Sequence, residues 1–268
     1  MTRPRCCAIA VLMLSAGIFC ASSCKAQVKL YTIKVEEALP HSRDSYTQGL
    51  FFHEGRLYET TGEYGSSTIR RVRLQDGAAE QKITLNRKYF GEGSCCVDGR
   101  MYLLTWQNKV AFVYDIATLE YEKTLAYPRE GWGLASIPED YRGKAADYKA
   151  VMLASDGSSN LYYLDSELRT VKKLSVTYDG RPLRLLNELE WIDGRIWANV
   201  YTTDMIVVID PFSGKVTGRI DCSGLLAERL RRADTDVLNG IAKDENGNIY
   251  ITGKKWPLMY RISLVPAK

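Results

Sequence analysis

From Val28 onward, apolar and polar residues alternate in short runs, and each run stops at a pair such as DG, EG, SG or NG. A period of two with Tyr, Val, Ile and Thr in the runs, broken by turn-forming pairs, predicts many short antiparallel strands joined by tight turns. Long stretches of helical period are missing. Gly224 to Arg232 (GLLAERLRR) is the one short helical candidate.

The strand pairs repeat. TQGLFFHEGRLYETTG begins at Thr47, GEGSCCVDGRMYLLTW at Gly91, GWGLASIP at Gly131, NELEWIDGRIWANVY at Asn187 and NGIAKDENGNIYITG at Asn239. Equivalent positions Gly49, Gly93, Gly133, Leu189 and Gly240 are separated by 44, 40, 56 and 51 residues. Each unit offers a first strand, a turn, a second strand and a more variable pair. Four strands at such a period predict an all-β fold, a five-bladed β-propeller of four-stranded antiparallel sheets. EDYRGKAADYKA, in the longest interval, reads as a loop on one face. YTIKV from Tyr31 and MYRISLV from Met259 are expected to share a sheet and close the ring, because closure removes free strand edges.

The first 26 residues change the reading of charge and cysteine. Arg3 and Arg5 precede an apolar run from Cys7 to Phe19 and then small residues up to Ala26, the pattern of an export signal. The expected organisation is a leader over 1–26 and a single catalytic domain over 27–268, exported to the periplasm or secreted. Lipid anchoring through Cys24 is the competing reading. Without Arg3, Arg5 and Lys25 the net charge falls from +4 to +1, which leaves no basic patch for nucleic acid. No transmembrane segment follows the leader, and a monomer is expected. Of the seven cysteines only Cys95, Cys96 and Cys222 remain, an odd number that is no disulfide framework. One pairing with Cys222 and buried free thiols both stay open.

If the first strand of each unit lines a central channel, the starts of the units converge. Those starts carry Gln48, Glu92, Trp132, Asn187 with Glu188 and Trp191, and Asn239, while Trp106 and Trp197 end second strands and Lys254 follows one. A carboxylate, amides and indoles gathered at one pole would make a small polar pocket with aromatic walls. Glu92, between Gly91 and Gly93, is the leading candidate. Against this, a strand tryptophan is ordinarily core, amides beside turns ordinarily bond backbone, and Lys254-Lys255 suits an exposed basic pair. His41 and His53 are the only histidines, with no HExxH, so an imidazole-ligated catalytic zinc is not expected, and no GxSxG elbow is present. DGSSN at Asp156 and DENGN at Asp244 lack the full spacing of a calcium loop and read as turns.

YTQGL, YGSSTIR, FGEG, LTW, EGWGL, SDGS, NELEW, WANV, LNGIA and TGKKWP, in that order from Tyr46 to Pro257, resemble the glutaminyl-peptide cyclotransferases of the plant and bacterial type. The resemblance spans all five repeats. It implies a five-bladed propeller that needs no cofactor or catalytic metal, and a reaction in which an N-terminal glutaminyl residue of a peptide or protein cyclises to 5-oxoproline and releases ammonia. Motif by motif it implies Glu92 as the proton-transfer group and Trp106, Trp132 and Trp191 as walls of the substrate pocket. It also implies substrate contacts from Gln48, which is glutamate in some members, and, less securely, from Asn187 and Lys254. Two other functions stay open: a calcium-dependent propeller lactonase or hydrolase, and a non-catalytic peptide- or sugar-binding propeller.

Overall fold

The computed structural model describes residues 27–267, so the leader and its Cys24 lie outside the described residues. Strand β1 (Lys29–Pro40) precedes the first unit of β2 (Thr47–His53), β3 (Arg56–Thr61), β4 (Thr68–Val72) and β5 (Ala79–Thr84). The second unit is β6 (Gly91–Val97), β7 (Arg100–Thr105), β8 (Val110–Asp115) and β9 (Tyr121–Ala126). The third is β10 (Leu134–Ser136), β11 (Met152–Ser155), β12 (Asn160–Leu164) and β13 (Thr170–Ser175), followed by a small ribbon of β14 (Thr177–Tyr178) and β15 (Arg181–Pro182). Then come β16 (Leu186–Ile192), β17 (Arg195–Val200), β18 (Met205–Ile209) and β19 (Val216–Asp221), and finally β20 (Leu238–Lys243), β21 (Ile249–Gly253) and β22 (Leu258–Pro266).

The all-β class holds, but the expected five-bladed β-propeller of separate four-stranded sheets is corrected. The first three units are four-stranded sheets, whereas the last two units and β1 form one eight-stranded sheet in the order β16-β17-β18-β19-β1-β22-β21-β20. The cause is β1. It pairs antiparallel with β22, as expected of the first and last strands, and its start also pairs in parallel with β19, Lys29 to Thr32 lying beside Gly218 to Asp221. An outer edge that would otherwise be open is thereby covered. The sheet curls until its terminal strands β16 and β20 touch. A repeat in the sequence marks hairpins; it does not say which edge an extra strand will cover.

First strands pack in a cycle, β2 on β6, β6 on β10, β10 on β16, β16 on β20 and β20 on β2. They are buried almost throughout, while the outer strands β5, β9 and β13 alternate with solvent. Glycine permits the close approach. A Cβ at Gly93 would overlap the backbone of Trp132 to Leu134, and one at Gly133 would overlap the carbonyl of Asn187. Turns at Glu54-Gly55, Asp98-Gly99 and Asp193-Gly194 have positive φ at both residues, the geometry of two-residue hairpin loops.

Both faces of the sheets are covered, so Cys95 and Cys96 point into different packing clusters, and Cys95, Cys96 and Cys222 are all free thiols. The helical candidate GLLAERLRR forms only a single 3-10 turn, Glu228–Leu230, with no side-chain cap, in keeping with the cost of nucleating so short a helix. Asp244 spends its oxygens on Asn246, Asn248 and Tyr250, and Asp156 on Ser158, so both read as turns. Among the described residues no helix is long and apolar enough to cross a membrane.

Candidate active site

Four first strands begin with the same irregularity. β2 against β3, β6 against β7, β16 against β17 and β20 against β21 each advance one residue more than their partners, between Thr47 and Gly49, Gly91 and Ser94, Leu186 and Leu189, and Leu238 and Ile241. A bulge breaks the two-residue alternation and re-aims a side chain. The residues inside these four bulges include Gln48, Glu92, Asn187 and Asn239, all buried.

A second regularity supplies the walls. The residue after each second strand donates its backbone N–H to the carbonyl just before the first strand: Gly62 to Tyr46, Trp106 to Phe90, Tyr201 to Leu185 and Lys254 to Val237, at 2.8–3.1 Å. These bonds pin the ends of both strands together at one pole. A cavity of about 220 Å³ opens there, lined by Tyr46, Gln48, Phe90, Glu92, Trp106, Trp132, Asn187, Tyr201 and Lys254.

The rim is a closed circuit. Tyr46 meets Phe90 edge-on with ring centroids 6.1 Å apart, and Phe90 meets Trp106 at 5.6 Å. The Oε2 atom of Glu130 accepts the indole N–H of Trp106 at 3.1 Å and that of Trp132 at 3.4 Å. Trp132 stands at right angles to Tyr201 at 5.6 Å, and the Lys254 ammonium lies 5.0 Å from the Tyr201 ring and 4.6 Å from the Tyr46 ring. Tyr46 is itself fixed by donating its hydroxyl to Asp236 at 2.7 Å.

Inside the rim, Gln48 donates from Nε2 to Oε1 of Glu92 at 3.2 Å, and Asn239 donates to Gln48 Oε1 at 3.3 Å and to the Thr47 carbonyl at 2.9 Å. Asn187 Oδ1 is buried without a protein partner, an acceptor available to a donor in the cavity. Burial pushes the Glu92 carboxyl well above the usual range; Lys254 pulls it back and Glu130 adds to the rise. Burial lowers Lys254 despite the nearby charges of Glu92 and Asp236. Together these effects bring the acid and the amine closer in proton affinity, which suits proton exchange.

Six of the seven residues that the family resemblance assigns to the site, Gln48, Glu92, Trp106, Trp132, Asn187 and Lys254, line this cavity. Trp191 does not. It packs in the core against Tyr141, 5.4 Å between centroids, beneath the loop of residues 138–149. Trp197 is also core. Lys254 rather than Lys255 faces the cavity, since Lys255 pairs with Glu63 at 2.8 Å. Sequence reasoning missed Tyr46, Phe90 and Tyr201. Tyr46 and Phe90 each stand two residues before a bulged polar residue, and Tyr201 occupies the position after a second strand that Trp106 and Lys254 fill in their own units.

The family description glutamine cyclotransferase matches residues 8–264. A glutaminyl-peptide cyclotransferase of Arabidopsis thaliana is 37% identical over 259 residues, covering 94% of this chain and 78% of that protein. Among solved structures, the crystal structure of Myxococcus xanthus glutaminyl cyclase superposes with a TM-score of 0.80 at 29% identity, covering 90% of this chain and 100% of the other.

Proposed function

Because the chain belongs to the glutamine cyclotransferase family, we propose that it converts N-terminal glutaminyl residues of peptides or proteins to 5-oxoproline with release of ammonia, and that Glu92 moves the proton. The observation that carries the assignment of Glu92 is its position as a buried carboxylate at a cavity lined otherwise by five aromatic rings, two amides and Lys254.

The substrate's α-amine nitrogen attacks its own side-chain amide carbon. A C–N bond forms, the carbonyl π pair moves onto oxygen, and the attacking nitrogen sheds a proton to the Glu92 carboxylate. Glu92 returns that proton to the departing nitrogen, the old C–N bond breaks, and ammonia leaves with the carbonyl restored. No net proton or water is consumed, so one carboxylate suffices. Burial favours this by raising the proton affinity of Glu92. Lys254 is the cationic donor suited to the developing oxyanion. Asn187 Oδ1 is suited to accept an N–H from the substrate, and the rings confine a single residue so that its reacting atoms stay close.

Residues 1–26 add export to this proposal on sequence alone, through the basic flank, the apolar run and the small residues that follow. The calcium-dependent alternative requires several carboxylates directed at one point, and among the described residues no group of three or more His, Cys, Asp or Glu side chains converges in that way. Incubation with a Gln-initiated dipeptide, with and without chelator, tests the proposal. Ammonia release that survives chelation and disappears in Glu92→Gln is expected. Near-normal release from a folded Glu92→Gln protein would refute the role of Glu92, and no release by the wild type would leave only the binding module.

A further inference from the structure

Every link in the cavity rim but one is made by a residue that lines the cavity. The exception is Glu130, half-buried in the segment between β9 and β10 and not a lining residue. Its Oε2 receives the indole N–H groups of Trp106 and Trp132 at 3.1 and 3.4 Å, and its Oε1 receives Gln107 Nε2 at 3.3 Å. The two tryptophans come from different units, Trp106 after β7 and Trp132 before β10. No direct ring–ring pairing joins them as it joins Phe90 to Trp106 or Trp132 to Tyr201. We propose that Glu130 is a positioning residue that locks both indoles at the mouth of the site and so fixes the width of the slot that receives the substrate's first residue.

The chemistry suits the role. An indole N–H has a single donor direction, and a charged acceptor holds it more strongly than a neutral one. One oxygen shared by two indoles sets the angle between the rings as well as the position of each. The same carboxylate also acts on Glu92 through space. The charged groups that influence Glu92 are Lys254 at the end of β21, which favours its ionised form, and Glu130, which opposes it.

The inference rests on the cyclase reading only for its kinetic part. Glu130→Gln keeps an oxygen that can face the indoles while presenting its amide N–H₂ toward a flipped Gln107, so it removes the charge and retains the anchor. Glu130→Ala removes both. In isotope-labelled protein, the indole N–H resonances of Trp106 and Trp132, assigned from Trp106→Phe and Trp132→Phe, should move together in Glu130→Ala and move less in Glu130→Gln. With a Gln-initiated dipeptide, Glu130→Ala should raise KM about tenfold, the scale of losing hydrogen bonds to a charged group. Glu130→Gln should keep KM within about threefold and shift the acid limb of the kcat/KM profile to lower pH, because the charge that raises Glu92 is gone. Indole resonances unmoved in Glu130→Ala, or a Glu130→Gln protein as impaired in KM as Glu130→Ala, would overturn the proposal. A wild type that releases no ammonia would defeat the cyclase reading alone, and the resonances, which need no turnover, would still decide the role of Glu130.

Discussion

Gln48 and Glu92 stand in equivalent bulges on neighbouring first strands, and Gln48 Nε2 donates to Glu92 Oε1 across 3.2 Å. An amide at this position supplies a donor without a charge. In Gln48→Glu two buried carboxylates would face one another, and mutual repulsion would raise the proton affinity of the pair. The expected outcome is a kcat/KM profile whose acid limb moves up by about one pH unit, with the fold retained. The check is a pH–rate series on the purified variant, and an unshifted limb would show that the limb does not report Glu92.

Lys254 and Lys255 are sequence neighbours with opposite surroundings. Lys254 is 3% exposed and held between the Tyr46 and Tyr201 rings, whereas Lys255 pairs with Glu63 and approaches Asp234. Lys254→Met removes the cation that favours ionised Glu92 and the donor proposed for the oxyanion. Turnover should fall about 10²- to 10³-fold, the scale for loss of one such donor, and the acid limb should rise. Lys255→Met should change kcat/KM by less than about twofold, because a partly exposed ion pair contributes little. Steady-state kinetics on the two variants side by side make the comparison.

Behind the cavity, Glu59 accepts hydrogen bonds from His41 Nε2, Ser45 and Thr47 at 2.7–2.8 Å, and Ser45 accepts one from Arg70 at 2.6 Å. Burial alone would raise Glu59 and lower His41. The charge of each partner reverses both, leaving Glu59 at about 2 and His41 above its ordinary value. The depressed carboxyl contributes stability that is complete above its ordinary value of 4.5 and is lost as pH falls through about 2. The raised imidazole contributes stability that is complete below 6.5 and is lost as pH climbs through its folded value. Denaturant melts from acid to neutral pH should therefore show a broad optimum between these limits. Glu59→Gln should lower stability by about 3 kcal/mol near neutrality, since it strands buried positive charge, and should flatten the acid decline.

Much of this organisation is legible in the sequence. The alternating runs and DG turns located the hairpins, and the pole predicted from strand starts is where the cavity lies. Two things were hidden. The parallel pairing of β1 with β19 depends on an edge the repeat cannot see, so five separate sheets were expected where two units are fused. The bulges at Gln48, Glu92, Asn187 and Asn239 shift register by one residue, and strict alternation carried past them misplaces whatever follows. Trp191, four residues beyond Asn187, was assigned to the pocket on a motif match, but it lies beyond the bulge on a strand whose side chains there face the core.

The fourth unit reaches the cavity through Asn187 and through Tyr201, and Tyr201 gives the most direct test of how the site is built. Tyr201 follows β17 as Trp106 follows β7 and Lys254 follows β21, each anchored by the same backbone bond. It also braces Trp132 on one side and the Lys254 ammonium on the other. Tyr201→Ala should therefore reduce kcat/KM by at least about tenfold, because it loosens two other groups of the site, with a small stability cost at this partly exposed position. Trp191→Phe should do the reverse, lowering stability by about 1–3 kcal/mol through the volume it vacates beside Tyr141 while leaving kcat/KM within about twofold. Thermal melts and steady-state kinetics on both proteins separate the two roles. If Trp191→Phe selectively impaired turnover and Tyr201→Ala did not, the wall of the fourth unit would have to be reassigned to the core side of β16.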